Sequence, residues 1–128
     1  MVVYGSGGII LKDNKILLIK RKNNDYFNDL WSNPGGKVEP NESSEDAVIR
    51  ELKEELDIEV KIVKKISDYH DYKEGTLFGI YSGYEVEILK GTPKINEPHK
   101  ITEIKYFSAD KLPKKVAPYT LQYIKNLQ

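Results

Sequence analysis

The chain has 128 residues, with 20 basic side chains against 20 acidic ones and no cysteine. The balanced charge gives no net field to draw nucleic acid or an anionic membrane, and the missing thiols exclude disulfides, thiolate nucleophiles and thiolate metal sites. Hydrophobic residues at 39% and charged residues at 31% describe a soluble globular chain with one core, so a single domain over residues 1–128 is expected. From Met1 onward there is no basic, apolar and small-residue series of a signal peptide, and no apolar run approaches about eighteen residues. A cytoplasmic protein without membrane or nucleic-acid partners is expected.

Residues 2–11 are apolar and glycine-containing, Lys12-Asp13-Asn14-Lys15 reads as a turn, and residues 16–19 resume with aliphatic side chains, which predicts a β-hairpin. Gly5, Gly7 and Gly8 make no dinucleotide fingerprint because no helix follows them; they mark a bulge or a close backbone approach. Lys20-Arg21-Lys22 closes the second strand. Residues 23–30 are polar with Tyr26 and Phe27 embedded, a loop long enough to wall a pocket. Trp31 is either core or packed beneath the stretch at residues 35–58.

Residues 35–58 combine a glycine turn, a helix start and a carboxylate cluster. Pro34-Gly35-Gly36 can bring backbone groups close to a ligand, and Ser43 or Ser44 can cap a helix over residues 44–56. Wound at 3.6 residues per turn, Glu51, Glu54 and Glu55 share an arc of roughly 100°, beside an apolar stripe of Val48, Ile49, Leu52 and Leu56. Like charges at these spacings cost an isolated helix about 0.2–0.5 kcal/mol per pair, and Lys53 lies on another face. A hard divalent cation with oxygen ligands would neutralise them, Mg²⁺ being the usual choice beside phosphate, with Mn²⁺ as a substitute. Without the preceding turn, a solvated acidic face would be the simpler reading.

This stretch resembles the Nudix hydrolases, whose signature is GX5EX7REUXEEXGU with U aliphatic. Gly36, Glu42, Arg50-Glu51, Leu52, Glu54-Glu55 and Ile58 fill its positions, so the Nudix box spans residues 36–58. Asp57 stands where the family has Gly; that Gly ends the helix in a left-handed turn, which Asp tolerates. The resemblance implies an α/β (α+β) Nudix fold, a mixed β-sheet in an α/β/α sandwich. It also implies metal ligation by Glu51, Glu54, Glu55 and the Gly36 carbonyl, with Glu51 the leading candidate for the base. Arg50 is expected to face away from the acids and to pair with Glu42, holding loop against helix. Lys37 and Arg21 would hold phosphates, Arg21 being alternatively the solvated end of a strand. Asn33 either hydrogen-bonds a substrate or caps its loop. On this reading Glu55→Gln abolishes hydrolysis and leaves the fold intact.

After the box, residues 58–72 and 77–89 form a second hairpin around Lys73-Glu74-Gly75-Thr76, curved at Gly79 and Gly83. Tyr69, Tyr72, Tyr81 and Tyr84 lie on it, chiefly as packing elements, although any one could stack on a nucleobase. His70 and His99 are too far apart to suggest a ligand pair. Glu97, Pro98 and Lys100, the strand over residues 101–107, and Asp110, Leu112 and Pro113 resemble the tail of MutT-like nucleoside triphosphate pyrophosphohydrolases. Glu97 or Glu103 could add a carboxylate. Pro118 begins a last helix whose core stripe is read as Leu121, Ile124 and Leu127.

The resemblance implies Mg²⁺-dependent hydrolysis of a nucleoside triphosphate to monophosphate and pyrophosphate by a monomer or homodimer. A linked substrate such as ADP-ribose or a dinucleoside polyphosphate is the alternative within enzymes. A nucleotide-binding regulator without turnover is the alternative outside them. Isopentenyl diphosphate isomerases share the fold but rely on a Cys that this chain lacks.

Overall fold

The computed structural model describes residues 1–22 and 30–127. The polar loop expected over residues 23–30 lies, except for Leu30, outside the described residues. In chain order the elements are β1 (Val3–Lys12), β2 (Lys15–Arg21), β3 (Trp31–Ser32), β4 (Gly35–Lys37), α1 (Ser44–Leu56), β5 (Glu59–Lys73), β6 (Thr76–Lys90), β7 (Ile101–Ser108) and α2 (Pro118–Lys125). Both long hairpins are present. The first turns through Asp13 and Asn14, both at positive φ, and the second through Glu74 and Gly75, the backbone geometry that two-residue hairpins favour.

The strands pair in the order β3-β2-β1-β6-β5, with β4 added to β1 and β7 to β2. β1 runs parallel to β6 and antiparallel to its other partners, so the sheet is mixed as expected. Its two faces are both covered. Leu17 and Ile19 of β2 join Val48, Leu52 and Leu56 of α1 in one apolar cluster, while Ile16 and Leu18 join Trp31 and Tyr123 of α2 in another. That double cover is why β2 reads as an unbroken aliphatic run rather than an alternating one.

One expectation needs correcting. Leu121 is 45% exposed, and the inward face of α2 is built instead on Thr120 and Tyr123, which are fully buried, with Ile124 and Leu127 packed beside them. A leucine placed by helical period alone lost to a tyrosine, because the Tyr123 hydroxyl reaches the Tyr81 carbonyl at 2.7 Å and so can be buried with its polar end satisfied. The β5–β6 hairpin is irregular where curvature was expected: its register shifts between Lys65 and Ser67, Ser67 pairing with Gly83, and between Asp71 and Tyr72, Asp71 pairing with Gly79, with further shifts near Val60 and Ile62. The short strands β3 and β4 were not expected; they exist because β2 and β1 offer them edges to pair with.

Replacing Leu121→Ala should change unfolding free energy by no more than about 0.5 kcal/mol, whereas Tyr123→Ala should cost about 3–5 kcal/mol. Urea midpoints of the two variants measure this, and equal losses would refute the assignment of the core face.

Candidate active site

Helix α1 is closed at both ends by its own sequence. Ser43 Oγ accepts from the Asp46 amide at 3.0 Å, and Asp57 takes the left-handed conformation (φ 55°, ψ 46°) where the box has Gly. Asn96 covers the helix end further, its amide nitrogen and side chain donating to the Glu55 and Glu54 carbonyls. With Val48, Leu52 and Leu56 turned to the sheet, the three acids fall at different depths. The Glu55 side chain is 3% exposed, Glu51 16% and Glu54 50%.

Glu55 closes a ring with the glycine turn. Its Oε1 accepts from the Gly35 amide at 2.9 Å, its Oε2 accepts from Arg21 Nη1 at 3.0 Å, and Arg21 Nη2 donates to the Gly35 carbonyl at 2.9 Å. Burial pushes the Glu55 carboxyl above its ordinary range, with Arg21 pulling against it. Burial also disfavours the Arg21 charge, but the neighbouring Glu55 more than offsets this and holds the guanidinium protonated. Glu51 lies against Gly36, where a Cβ would sit 2.5 Å from the Glu51 carboxyl carbon. Only glycine leaves room there for a carboxylate beside the backbone.

Arg50 does not face away from the acids. It does pair with Glu42, through Nε to Oε2 at 2.8 Å and Nη2 to Oε1 at 3.0 Å, and it also donates to the Lys37 carbonyl. Its Nη1, however, bridges Glu51 at 2.9 Å and Glu54 at 3.1 Å, because the long side chain lies back across its own helix. One guanidinium thus offsets the like-charge repulsion on the helix. Hydrogen bonds from Arg50, then from the Glu39 amide, hold the Glu42 carboxyl down to about 2.

These groups open into a cleft of about 1140 Å³ between β1, β4 and the start of α2. Arg21, Gly36, Lys37, Asn33, Glu51 and Glu55 line it, so the structure gathers most of the residues singled out in the sequence. Asn33 is buried and largely spoken for: Thr120 Oγ1 donates to its Oδ1 at 2.6 Å and receives its backbone amide, tying β3 to α2. Glu97 is beside Lys100 at 3.8 Å, Glu103 is exposed, and neither lines the cleft. The opposite wall was foreseen only in part: Tyr69 and Tyr81 were weighed as base-stacking residues, whereas Asp71, Lys73 and Tyr119 were missed, because the wall, with Lys100, comes from four separate segments that no local spacing links.

The carboxylates beside the cleft offer oxygen ligands, which suits a hard divalent cation, and the missing side chain at Gly36 sets the Glu51 carboxylate against the backbone. Among the described residues, three carboxylates or histidines do not converge on one point. Also among these residues, no helix is long and apolar enough to cross a membrane.

A family model described as "NUDIX domain" matches residues 4–127. The chain is 39% identical over 108 residues to the ADP-ribose pyrophosphatase of Methanocaldococcus jannaschii, covering 84% of this chain and 62% of that protein. It is 36% identical over 89 residues to the CTP pyrophosphohydrolase of Escherichia coli, covering 70% and 65% respectively. The match therefore spans somewhat less than two thirds of the length of these relatives. Among solved structures, a MutT NUDIX hydrolase from Burkholderia pseudomallei superposes with a TM-score of 0.90 at 29% identity, covering 100% of this chain and 99% of that one. With the box helix, the glycine turn and the mixed sheet in place, the chain belongs to the Nudix family.

Two measurements probe the arginines. Arg21→Met leaves Glu55 buried without its cation and should cost about 3 kcal/mol or more at neutral pH. The deficit relative to the parent should shrink as pH falls, since an unpaired buried carboxylate has a raised folded-state pKa and is relieved by protonation; a deficit independent of pH would contradict the pairing. Glu42 behaves oppositely. Its contribution is complete above its ordinary value of 4.5 and is lost as pH falls toward about 2. Glu42→Gln should therefore lower Tm at pH 7 and flatten the fall of Tm across that acid window.

Proposed function

We propose that residues 1–128 form one catalytic domain, a divalent-metal-dependent pyrophosphohydrolase that cleaves a nucleoside triphosphate to the monophosphate and pyrophosphate. The observation that carries this reading is the placement of Glu51 against Gly36 in a cleft that also holds Arg21 and Lys37. Glu51, Glu54 and the Gly36 carbonyl would hold Mg²⁺, or Mn²⁺ in its place. Glu55 would join them through lone pairs left over from its two hydrogen bonds, since a carboxylate offers about four. Such a cation supplies charge neutralisation on the phosphates and acidifies water.

The residues of the chain supply the rest. Lys37 would contact phosphate oxygens, and so would Arg21 through the N–H groups left over from its bonds to Glu55 and Gly35. Glu51, with 16% of its side chain exposed in the cleft lining, would accept a proton from the attacking water. Arg50 keeps Glu51 and Glu54 close despite their charge and fixes the loop through Glu42. The family resemblance and the relative named for CTP support a triphosphate substrate, while the relative named for ADP-ribose supports the linked-diphosphate alternative.

The test is a panel of nucleoside triphosphates, ADP-ribose and diadenosine polyphosphates with Mg²⁺, the products being separated by chromatography. Glu54→Gln is the blank: Glu55→Gln would also disturb the Gly35 anchor, so it is not a clean probe. Monophosphate plus pyrophosphate from a triphosphate is the expected outcome, with at least about 100-fold loss in Glu54→Gln and loss on metal chelation. Cleavage of the linked diphosphates alone would overturn the triphosphate assignment. Tight binding without any turnover would identify a regulator.

A further inference from the structure

The cleft wall facing the carboxylates is aromatic. Tyr81 of β6 stands opposite Gly5 of β1, and Gly79 precedes it on the same face of its strand. A Cβ at Gly5 would lie 3.1 Å from the Tyr81 ring, and one at Gly79 would lie 2.5 Å from its hydroxyl. The ring therefore rests on bare backbone and lies low over the sheet. Tyr69, its cross-strand partner, is nearly parallel to it at 15° with centroids 6.2 Å apart, and the Tyr119 ring meets them at 62° and 75°. Two rings in one orientation and a third standing across them make a corner, each ring only partly buried.

The corner carries one oriented polar group. The Tyr81 hydroxyl donates to Asp71 Oδ2 at 2.8 Å, and among the described residues Asp71 Oδ1 has no partner. Asp71 lines the same cleft as Glu51, Gly36 and Lys37. Lys37 and Tyr81 flank Gly5 on adjoining strands, so two inter-strand steps, about 10 Å, separate them. That is comparable to the extent of a nucleotide from its base to its second phosphate.

We infer that Tyr69, Tyr81 and Tyr119 seat the nucleobase of the substrate and that Asp71 selects bases bearing an exocyclic amine over uracil and thymine. The inference rests on the reading that the substrate is a nucleotide and deepens it. Aromatic faces stack on any base, so the rings supply affinity without choice. Asp71 supplies the choice, because an ionised carboxylate only accepts hydrogen bonds. The amines of cytosine, adenine and guanine can donate to it. A seat that turns position 4 of a pyrimidine to Asp71 meets an amine in cytosine but a carbonyl in uracil or thymine, which sets oxygen against oxygen and leaves the partly buried carboxylate without a donor there. Tyr81 is a positioning residue for Asp71 as well as a stacking surface.

CTP and UTP differ in their bases at C4, amine against carbonyl, and at the adjoining N3, bare nitrogen against N–H, so their α,β-methylene analogues are the probes, titrated calorimetrically against the full chain with Mg²⁺; a contact of Asp71 with the uracil N3–H would instead give equal or reversed affinities. The cytosine analogue should bind at least about tenfold tighter. Asp71→Asn, which offers donor and acceptor alike, should bring the ratio within about threefold. Tyr81→Phe, which keeps the ring and removes the tether, should give an intermediate ratio at unchanged Tm. Tyr81→Ala should weaken both analogues about tenfold. Equal affinities in the parent chain, a ratio unmoved by Asp71→Asn, or no binding of either analogue would overturn the inference. Discrimination without cleavage of any triphosphate would retain the base seat and refute the pyrophosphohydrolase reading, and cleavage without discrimination would do the reverse.

Discussion

The ring of hydrogen bonds joining Glu55, Arg21 and Gly35 is the constraint on which the site depends. It ties helix α1, strand β2 and the glycine turn at one buried point. Neither ion would tolerate that burial alone, since an isolated buried charge is among the costliest features a fold can carry. The pair is therefore held in register from both sides. With both the amide and the carbonyl of Gly35 engaged, the following residue, Gly36, lies against Glu51. Acid, backbone and cation come to one end of the cleft through the same interaction that secures the turn.

A second consequence concerns charge. A helix that concentrates glutamates on one side pays for it in repulsion, and a bound cation was the expected remedy. The structure shows that the chain carries part of the remedy itself. Arg50 lies among Glu42, Glu51 and Glu54, and Arg21 covers Glu55. The acids are thus held beside the cleft by the chain's own cations, a preorganisation of the kind that electrostatic stabilisation favours. The opposite wall is organised by shape instead. Two glycines remove side chains from the floor, and three tyrosines from two strands and a helix fill the space.

The legible part of the site was the part built from one stretch. A helix from residue 44 to 56 followed from the serine cap, the apolar period and the left-handed Asp57, all local properties. The Arg50–Glu42 contact followed from the box spacing, but the reach of Arg50 back to Glu51 and Glu54 did not, since side-chain torsions are settled by surrounding charge. Arg21 was recognisable as a cation near the turn, while its engagement with Glu55 required the positions of strand and helix in space. Leu121 shows the opposite failure: of the expected stripe Ile124 and Leu127 pack on the core, but Leu121 is exposed and Tyr123, its hydroxyl satisfied inside, is buried beside them.

The amino-acid sequence by itself determined the family, the two hairpins, both helices and the carboxylate helix beside its glycine turn. Each of these depends on spacings within about two dozen residues, over which cap, turn and periodicity rules operate. Only the tertiary structure decided the depth of each glutamate, the short strands β3 and β4, and the aromatic wall with Asp71. Those features arise where segments far apart in the chain meet, and burial and hydrogen-bond satisfaction across such contacts leave no periodic trace in any one segment.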